Sequence, residues 1–84
     1  MRNLTQAQLK RRGAILEWLL AVAGDEADGR RTTNAIRAYV GRRTSIYVTV
    51  DTIAKDLHAL AKDGAVERSF LGEALWRAGS GGAR

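Results

Sequence analysis

The feature that most constrains the fold is an amphipathic segment at 49–63 that leads through Gly64 directly into an alternating segment. Thr49 is a suitable N-cap, Asp51 lies near the positive end of the helix, and Gly64 suits the position just after it. The apolar residues share one side of the helical wheel: Val50, Ile53, Leu57, Leu60 and Ala61. The polar residues gather within about 60° on the other side: Asp51, Lys55, His58 and Lys62. The segment therefore predicts a helix with one packed face and one free face.

Residues 65–77 have the pattern of a β-hairpin. Val66 and Phe70 are in phase in the first half, and the turn-like residues 71–73 separate it from the second half, which runs from Ala74 to Arg77. The sequence therefore predicts a hairpin joined directly to the amphipathic helix.

A helix is also predicted over residues 5–23. Thr5 and Gln8 have the spacing of a capping box, and the acidic, turn-rich sequence GDEADG at 24–29 follows. The apolar residues of this helix cover an arc of about 200°, wider than one core face needs. We therefore expect part of the arc, with Trp18 at its margin, to be a candidate surface for a homodimer.

A short helix is predicted between these two. Thr32 or Thr33 caps it, Gly41 suits its end, and its apolar residues have helical spacing: Ile36, Tyr39 and Val40. The β-branched and aromatic residues 46–48 then predict either a short strand or an extended connector.

Together these elements predict a small α+β domain of three helices plus a C-terminal β-hairpin. The length of 84 residues allows one domain, which we assign to 1–78, with a flexible tail at 79–84. No apolar stretch approaches the roughly 20 residues that span a bilayer, so we expect a cytoplasmic protein without membrane contact.

The composition favours a polyanionic partner and argues against catalysis. Lys and Arg number 14 against 9 Asp and Glu, which gives a net charge of +5, and no acid occurs between Arg30 and Ser45. The absence of cysteine excludes thiolate chemistry, and a single histidine, His58, excludes a multi-histidine metal site. With no paired-carboxylate or nucleotide motif either, we expect no enzymatic activity, no cofactor and no metal.

The stretch VTVDTIAKDLHALAKDGAVER at 48–68 resembles the recognition helix and first wing strand of winged helix-turn-helix domains, especially those of DeoR-like transcriptional repressors. The positions that match the pattern of that family are Val48, Thr49, Thr52, Ile53, Lys55, Asp56, Leu57, Leu60, Gly64 and Val66. The resemblance implies a winged-helix fold and a double-stranded DNA-binding protein that acts as a small transcriptional regulator or repressor, or as an architectural factor.

The resemblance also implies which residues contact DNA. The third helix would lie in a major groove, with Thr49, Asp51, Thr52 and Lys55 on its exposed N-terminal half. Arg68 and Arg77 would flank the wing tip. Independently of the resemblance, we expect His58, the single histidine, to be a surface residue within reach of a phosphate.

A basic cluster precedes the third helix. Arg42 and Arg43, followed by Thr44 and Ser45, carry donors that can clamp a phosphate strand. We expect these residues in an extended connector at 42–47, about six residues longer than the tight turn usual in the family.

Each of these residues also has a structural interpretation. Thr49 and Asp51 can simply cap the helix, and Lys55 and the arginines can be solvated surface charges. Trp18 and Trp76 are better explained as core or interface aromatics than as platforms for stacked bases. The alternative function is a winged-helix protein-interaction module without DNA binding, in which the third helix or the first-helix stripe docks on a partner protein. Asp51 and Ala54 on the recognition helix favour it.

Overall fold

The computed structural model describes residues 4–23, 29–71 and 73–79, with side chains except at 70, 71, 73 and 74. Most of the predicted acidic loop, at 24–28, and residues 80–84 of the predicted tail lie outside the described residues.

Three α-helices begin after a threonine N-cap. They are α1 (Gln6–Val22), α2 (Thr33–Thr44) and α3 (Val50–Lys62). The caps Thr5, Thr32 and Thr49 each accept a hydrogen bond from the backbone N–H three residues later, at 3.1, 3.1 and 3.3 Å. At α1 the side chain of Gln8 also accepts from the N–H of Thr5, which completes the predicted capping box.

The predicted end of α2 is wrong. The helix continues past Gly41 to Thr44, and Ser45 ends it in the left-handed conformation with φ of 63°, its N–H donating to the carbonyl of Gly41 at 2.9 Å. A glycine in a helix interior lowers stability but does not break the backbone hydrogen-bond ladder. Arg42, Arg43 and Thr44 are therefore helical, and the connector to α3 is the shorter segment 45–49, which contains no strand.

The sheet is antiparallel and has three strands in the order β1–β3–β2. Strands β2 (Val66–Leu71) and β3 (Glu73–Ala78) form the predicted C-terminal hairpin, and Gly64, with φ of 80°, separates it from α3. Strand β1 (Arg31–Thr32) was not predicted, because two residues are too few to show alternation. It pairs with β3, placing Arg31 opposite Trp76. The N–H of Gly79 donates to the carbonyl of Ala65 at 2.9 Å, so the first residue of the predicted tail is bonded to the base of the hairpin.

The core lies where the three helices meet the hairpin. Its buried apolar residues are Ala14, Ile15, Leu19, Ile36, Val40, Ile53, Leu57, Leu60, Val66 and Trp76. The indole N–H of Trp76 donates to the hydroxyl of Thr33 at 2.9 Å, which satisfies its one polar group. The α+β class, with three helices and a C-terminal hairpin, is confirmed.

Candidate nucleic-acid interface

Helix α3 has one buried face and one exposed face, as predicted. Its buried residues are Ile53, Asp56, Leu57 and Leu60. Its exposed residues on the opposite side are Asp51, Lys55, His58 and Lys62. The spacing of these four residues places them in one row along the helix, so two lysines and one aspartate present a weakly cationic surface.

The N-terminus of α3 uses its two threonine hydroxyls internally. The Thr49 hydroxyl accepts from the N–H of Thr52, and the two hydroxyl oxygens lie 3.2 Å apart. The capping interpretation of Thr49 is therefore confirmed. Thr49 remains exposed and Thr52 half-buried, so both still border the exposed row.

The four residues of the predicted basic cluster differ in their surroundings. Arg43 donates to both carboxylate oxygens of Glu17 on α1, from Nε at 2.9 Å and from Nη2 at 3.3 Å. Thr44 donates to the Val40 carbonyl at 2.7 Å and accepts from the N–H of Ile46, and Ser45 is the helix C-cap. Arg42 is exposed and makes no hydrogen bond or ion pair within the described ranges.

Sequence reasoning missed the polar cluster that engages Arg43. The hydroxyl of Tyr39 donates to Glu17 at 2.6 Å. The hydrogen bonds from Arg43 and from Tyr39 lower the pKa of Glu17, and the bond to Glu17 raises the pKa of Tyr39. Tyr39 in turn stacks on Trp18 with ring centroids 4.8 Å apart, and the guanidinium of Arg31 lies 5.3 Å from the Trp18 ring. The stacking joins α1 to α2 and packs Trp18 and Tyr39 against the edge of the core.

The side chains of the hairpin also have structural contacts. Arg77 donates to Glu67 across the β2–β3 pair, from Nη2 at 2.8 Å. The guanidinium of Arg68 lies 5.5 Å from the Trp76 ring, and His58 meets the same ring edge-on at 5.4 Å. His58, Arg68 and Arg77 nevertheless stay exposed. The predicted position of Arg68 and Arg77 at the wing tip is wrong, because the register pairs them with Trp76 and Glu67, nearer the base of the hairpin.

Asp56 has a role that sequence reasoning did not find. It matches the family pattern, yet its carboxylate is buried on the packed side of α3 and accepts from Nε of both Arg11 and Arg12, at 2.7 and 3.0 Å. The sequence contained a sign of this role, because an acidic residue one turn from Ile53 and Leu60, on the apolar side of a helix, requires a positively charged or hydrogen-bonding partner.

Two residues outside the predicted site are Arg37, on α2, and Tyr47, in the α2–α3 connector. Arg37 donates from Nε to the carbonyl of Val48 at 2.7 Å, and Tyr47 is 78% exposed.

Comparison with protein-family models, with curated proteins and with solved structures finds no match to this chain. In the part of the chain that the structure describes, no group of three or more acidic or histidine side chains is placed to hold a metal ion. None of the described helices is long and apolar enough to cross a membrane.

Proposed function

We propose that this chain is a double-stranded DNA-binding protein that inserts α3 into the major groove, lays the β2–β3 hairpin alongside as a wing, and acts as a small transcriptional regulator. The proposal includes a cytoplasmic location and no catalytic activity. The observation that carries it is the exposed row of α3, formed by Asp51, Lys55, His58 and Lys62, directly opposite the buried face. An exposed helix face that carries polar side chains is what helix-turn-helix proteins place in the major groove.

The charges around that row support the proposal. The chain has a net charge of +5, and the exposed Arg42 and Arg68 flank α3 at its connector and at its hairpin. Arg43 and Arg77 are held by carboxylates, so each contributes less attraction for phosphate than its charge suggests. We therefore assign the main phosphate contacts to the connector side and the base contacts to Lys55 and the neighbouring Thr52.

The test is fluorescence anisotropy of the protein with labelled random-sequence duplex DNA at several salt concentrations. For about four to six phosphate contacts, log affinity falls against log salt with a slope near −4 to −5. Lys55→Ala should weaken binding more than Lys10→Ala, a control that removes the same charge from α1. Absence of binding even at low salt would overturn the proposal.

A second candidate, a protein-interaction module, is favoured by one observation. Leu9 and Leu20 on α1 are 51% and 62% exposed and lie on the same side of that helix, away from the core. Two partners would cover these leucines. One is a second copy of the chain, in a homodimer through the first helix, and the other is a different protein. Sedimentation equilibrium without DNA tests the homodimer, and Leu20→Glu should then dissociate it. A monomer that also fails to bind DNA would favour the partner protein.

A further inference from the structure

The α2–α3 connector carries an exposed aromatic side chain in a defined position. Tyr47 is 78% exposed, far more than Trp18, Tyr39 or Trp76, yet its ring lies against α2 rather than projecting freely. A Cβ at Gly41 would lie 2.8 Å from both Cδ1 and Cε1 of Tyr47, which is closer than such atoms approach. Only glycine at position 41 admits the ring in this place.

Glycine at position 41 lowers the stability of α2. Gly41 lies inside the helix, and glycine is among the poorest residues for a helix interior. No positive φ explains it, since the residues with positive φ in the described chain are Ser45 and Gly64. In the described chain, the contact that a side chain at position 41 would disturb is the close approach of the Tyr47 ring.

Two arginines line the same cleft as that ring. A cleft of about 260 Å³ is lined by Arg37, Ala38, Gly41, Arg42, Tyr47 and Val48. None of these described lining residues is acidic, so no carboxylate among them compensates the two positive charges. The bond from Nε of Arg37 to the Val48 carbonyl holds that side chain in position while its remaining N–H donors stay available.

We propose that Arg37, Arg42 and Tyr47 form a binding site for one phosphate of the DNA backbone, next to the N-terminus of α3; this rests on the proposed DNA-binding function. The guanidinium of Arg37 is already oriented, that of Arg42 has no competing partner in the described chain, and the Tyr47 hydroxyl supplies a neutral donor. A phosphate fits because it accepts several hydrogen bonds at once and carries the charge that the cleft lacks.

The site distinguishes Arg42 from its neighbour Arg43. Successive residues of a helix point about 100° apart, and Arg43 is directed to Glu17 on α1 whereas Arg42 lines the connector cleft. The site also adds Arg37 and Tyr47 to the DNA-contacting residues. Because all three contacts are to the backbone, the site contributes affinity and register, and base reading is left to α3.

The experiment measures anisotropy with random-sequence duplex DNA over a series of salt concentrations for four variants. Arg42→Ala should weaken binding roughly tenfold at low salt, as expected for a charged hydrogen bond, and should make the salt slope less steep by about 0.9. Arg37→Gln, which retains a donor for the Val48 carbonyl, should change the slope equally. Tyr47→Phe should weaken binding severalfold with the slope unchanged, because it removes a hydrogen bond and no charge. Lys10→Ala is the control that lowers the net charge equally on α1.

A further variant tests the role of the glycine. Gly41→Ala changes no charge and favours the helix, but it displaces the Tyr47 ring, so it should weaken DNA binding in the wild type and have no effect in a Tyr47→Ala background.

The outcomes separate the two proposals. If the wild type binds with a steep salt slope but the cleft variants bind no more weakly than Lys10→Ala, the phosphate site is wrong and DNA binding by α3 stands. If Tyr47→Phe binds like the wild type, the tyrosine is not part of the site and the proposal as stated fails. If the wild type does not bind duplex DNA at any salt concentration, the proposed function fails and the phosphate site fails with it. Circular dichroism of each variant verifies that the helices are intact.

Discussion

Arg11 and Asp56 form a buried ion pair that joins α1 to α3, with Nε of Arg11 2.7 Å from Oδ2 of Asp56 and side chains 10% and 2% exposed. Nη2 of Arg11 reaches the other carboxylate oxygen at 3.4 Å, and Nε of Arg12 donates to it at 3.0 Å. The ion pair therefore links α3, which carries the candidate interface, to α1, which packs against it.

Removing the carboxylate should strongly destabilise the fold. Asp56→Ala leaves Arg11 buried without a counterion, which costs about 3–5 kcal/mol for a pair of this kind. The free energy of unfolding is measured by urea denaturation, and Asp63→Ala, which removes an exposed acid at the end of the same helix, is the control. A loss below about 1 kcal/mol would show that Arg11 finds solvent or another partner.

The hydrogen bond from Trp76 to Thr33 should stabilise the contact between the hairpin and α2. Thr33→Val keeps the shape of the side chain but leaves a buried indole N–H without an acceptor, a loss of about 1–3 kcal/mol. Thr33→Ser retains the hydroxyl and should be much less destabilising. The free energies of unfolding of the two variants are compared by urea denaturation, monitored by tryptophan fluorescence. Equal losses of stability would mean that the side-chain shape of Thr33, rather than its hydrogen bond, stabilises the contact.

The cluster of Glu17, Arg43 and Tyr39 predicts a specific pH dependence. The pKa of Glu17 is below its ordinary value of 4.5, first because of the hydrogen bond from Arg43. A carboxyl with a lowered pKa in the fold stabilises it above the unfolded pKa, and this contribution is lost as the pH falls through the folded pKa. Arg43→Ala should raise the pKa of Glu17 toward 4.5 and flatten the loss of stability below that pH.

That pKa is measured by NMR titration of the Glu17 carboxyl carbon. Arg42→Ala removes the adjacent arginine, which does not touch Glu17, and is the matched control. A pKa of Glu17 that shifts equally in both variants would mean that long-range charge, rather than the Arg43 contact, causes the lowering.

The exposed Asp51 should oppose binding to random DNA. Its carboxylate lies in the exposed row of α3, where it repels phosphates, so Asp51→Asn should increase affinity severalfold at low salt, with a smaller gain as salt screens the charge. The substitution should cost about 0.3–1 kcal/mol of stability, because Asp51 lies in the first turn of α3. Anisotropy measures the affinity, with Asp63→Asn as control.

On a DNA site selected from a random-sequence pool, a weaker rather than tighter complex for Asp51→Asn would have a different meaning. It would assign Asp51 as an acceptor for a cytosine amino group, a contact that a carboxylate can make in the major groove.

Local features of the fold could be predicted from the sequence, and contacts between distant segments could not. The helix starts were predictable because each threonine caps a donor three residues away, and the free face of α3 follows from its own periodicity. The end of α2 was missed because Gly41 resembles a helix terminator, whereas in the fold it lies inside the helix, against the ring of Tyr47. Strand β1 was missed because its pairing with β3 defines it, not its own two residues.

Sequence patterns alone predict the order of the three helices and the C-terminal hairpin, the amphipathic α3 and the excess of positive charge. The packing of distant segments sets which cations remain available to a ligand. Arg43 is held by Glu17, 26 positions away, and Arg11 is buried against Asp56, 45 positions away. Arg37 and Arg42 line a cleft whose described lining residues include no acid. The physical reason is that caps and amphipathic faces depend on neighbours within a turn or two of helix, whereas the pairing of a charge depends on which distant carboxylate the packing of the helices brings within about 3 Å.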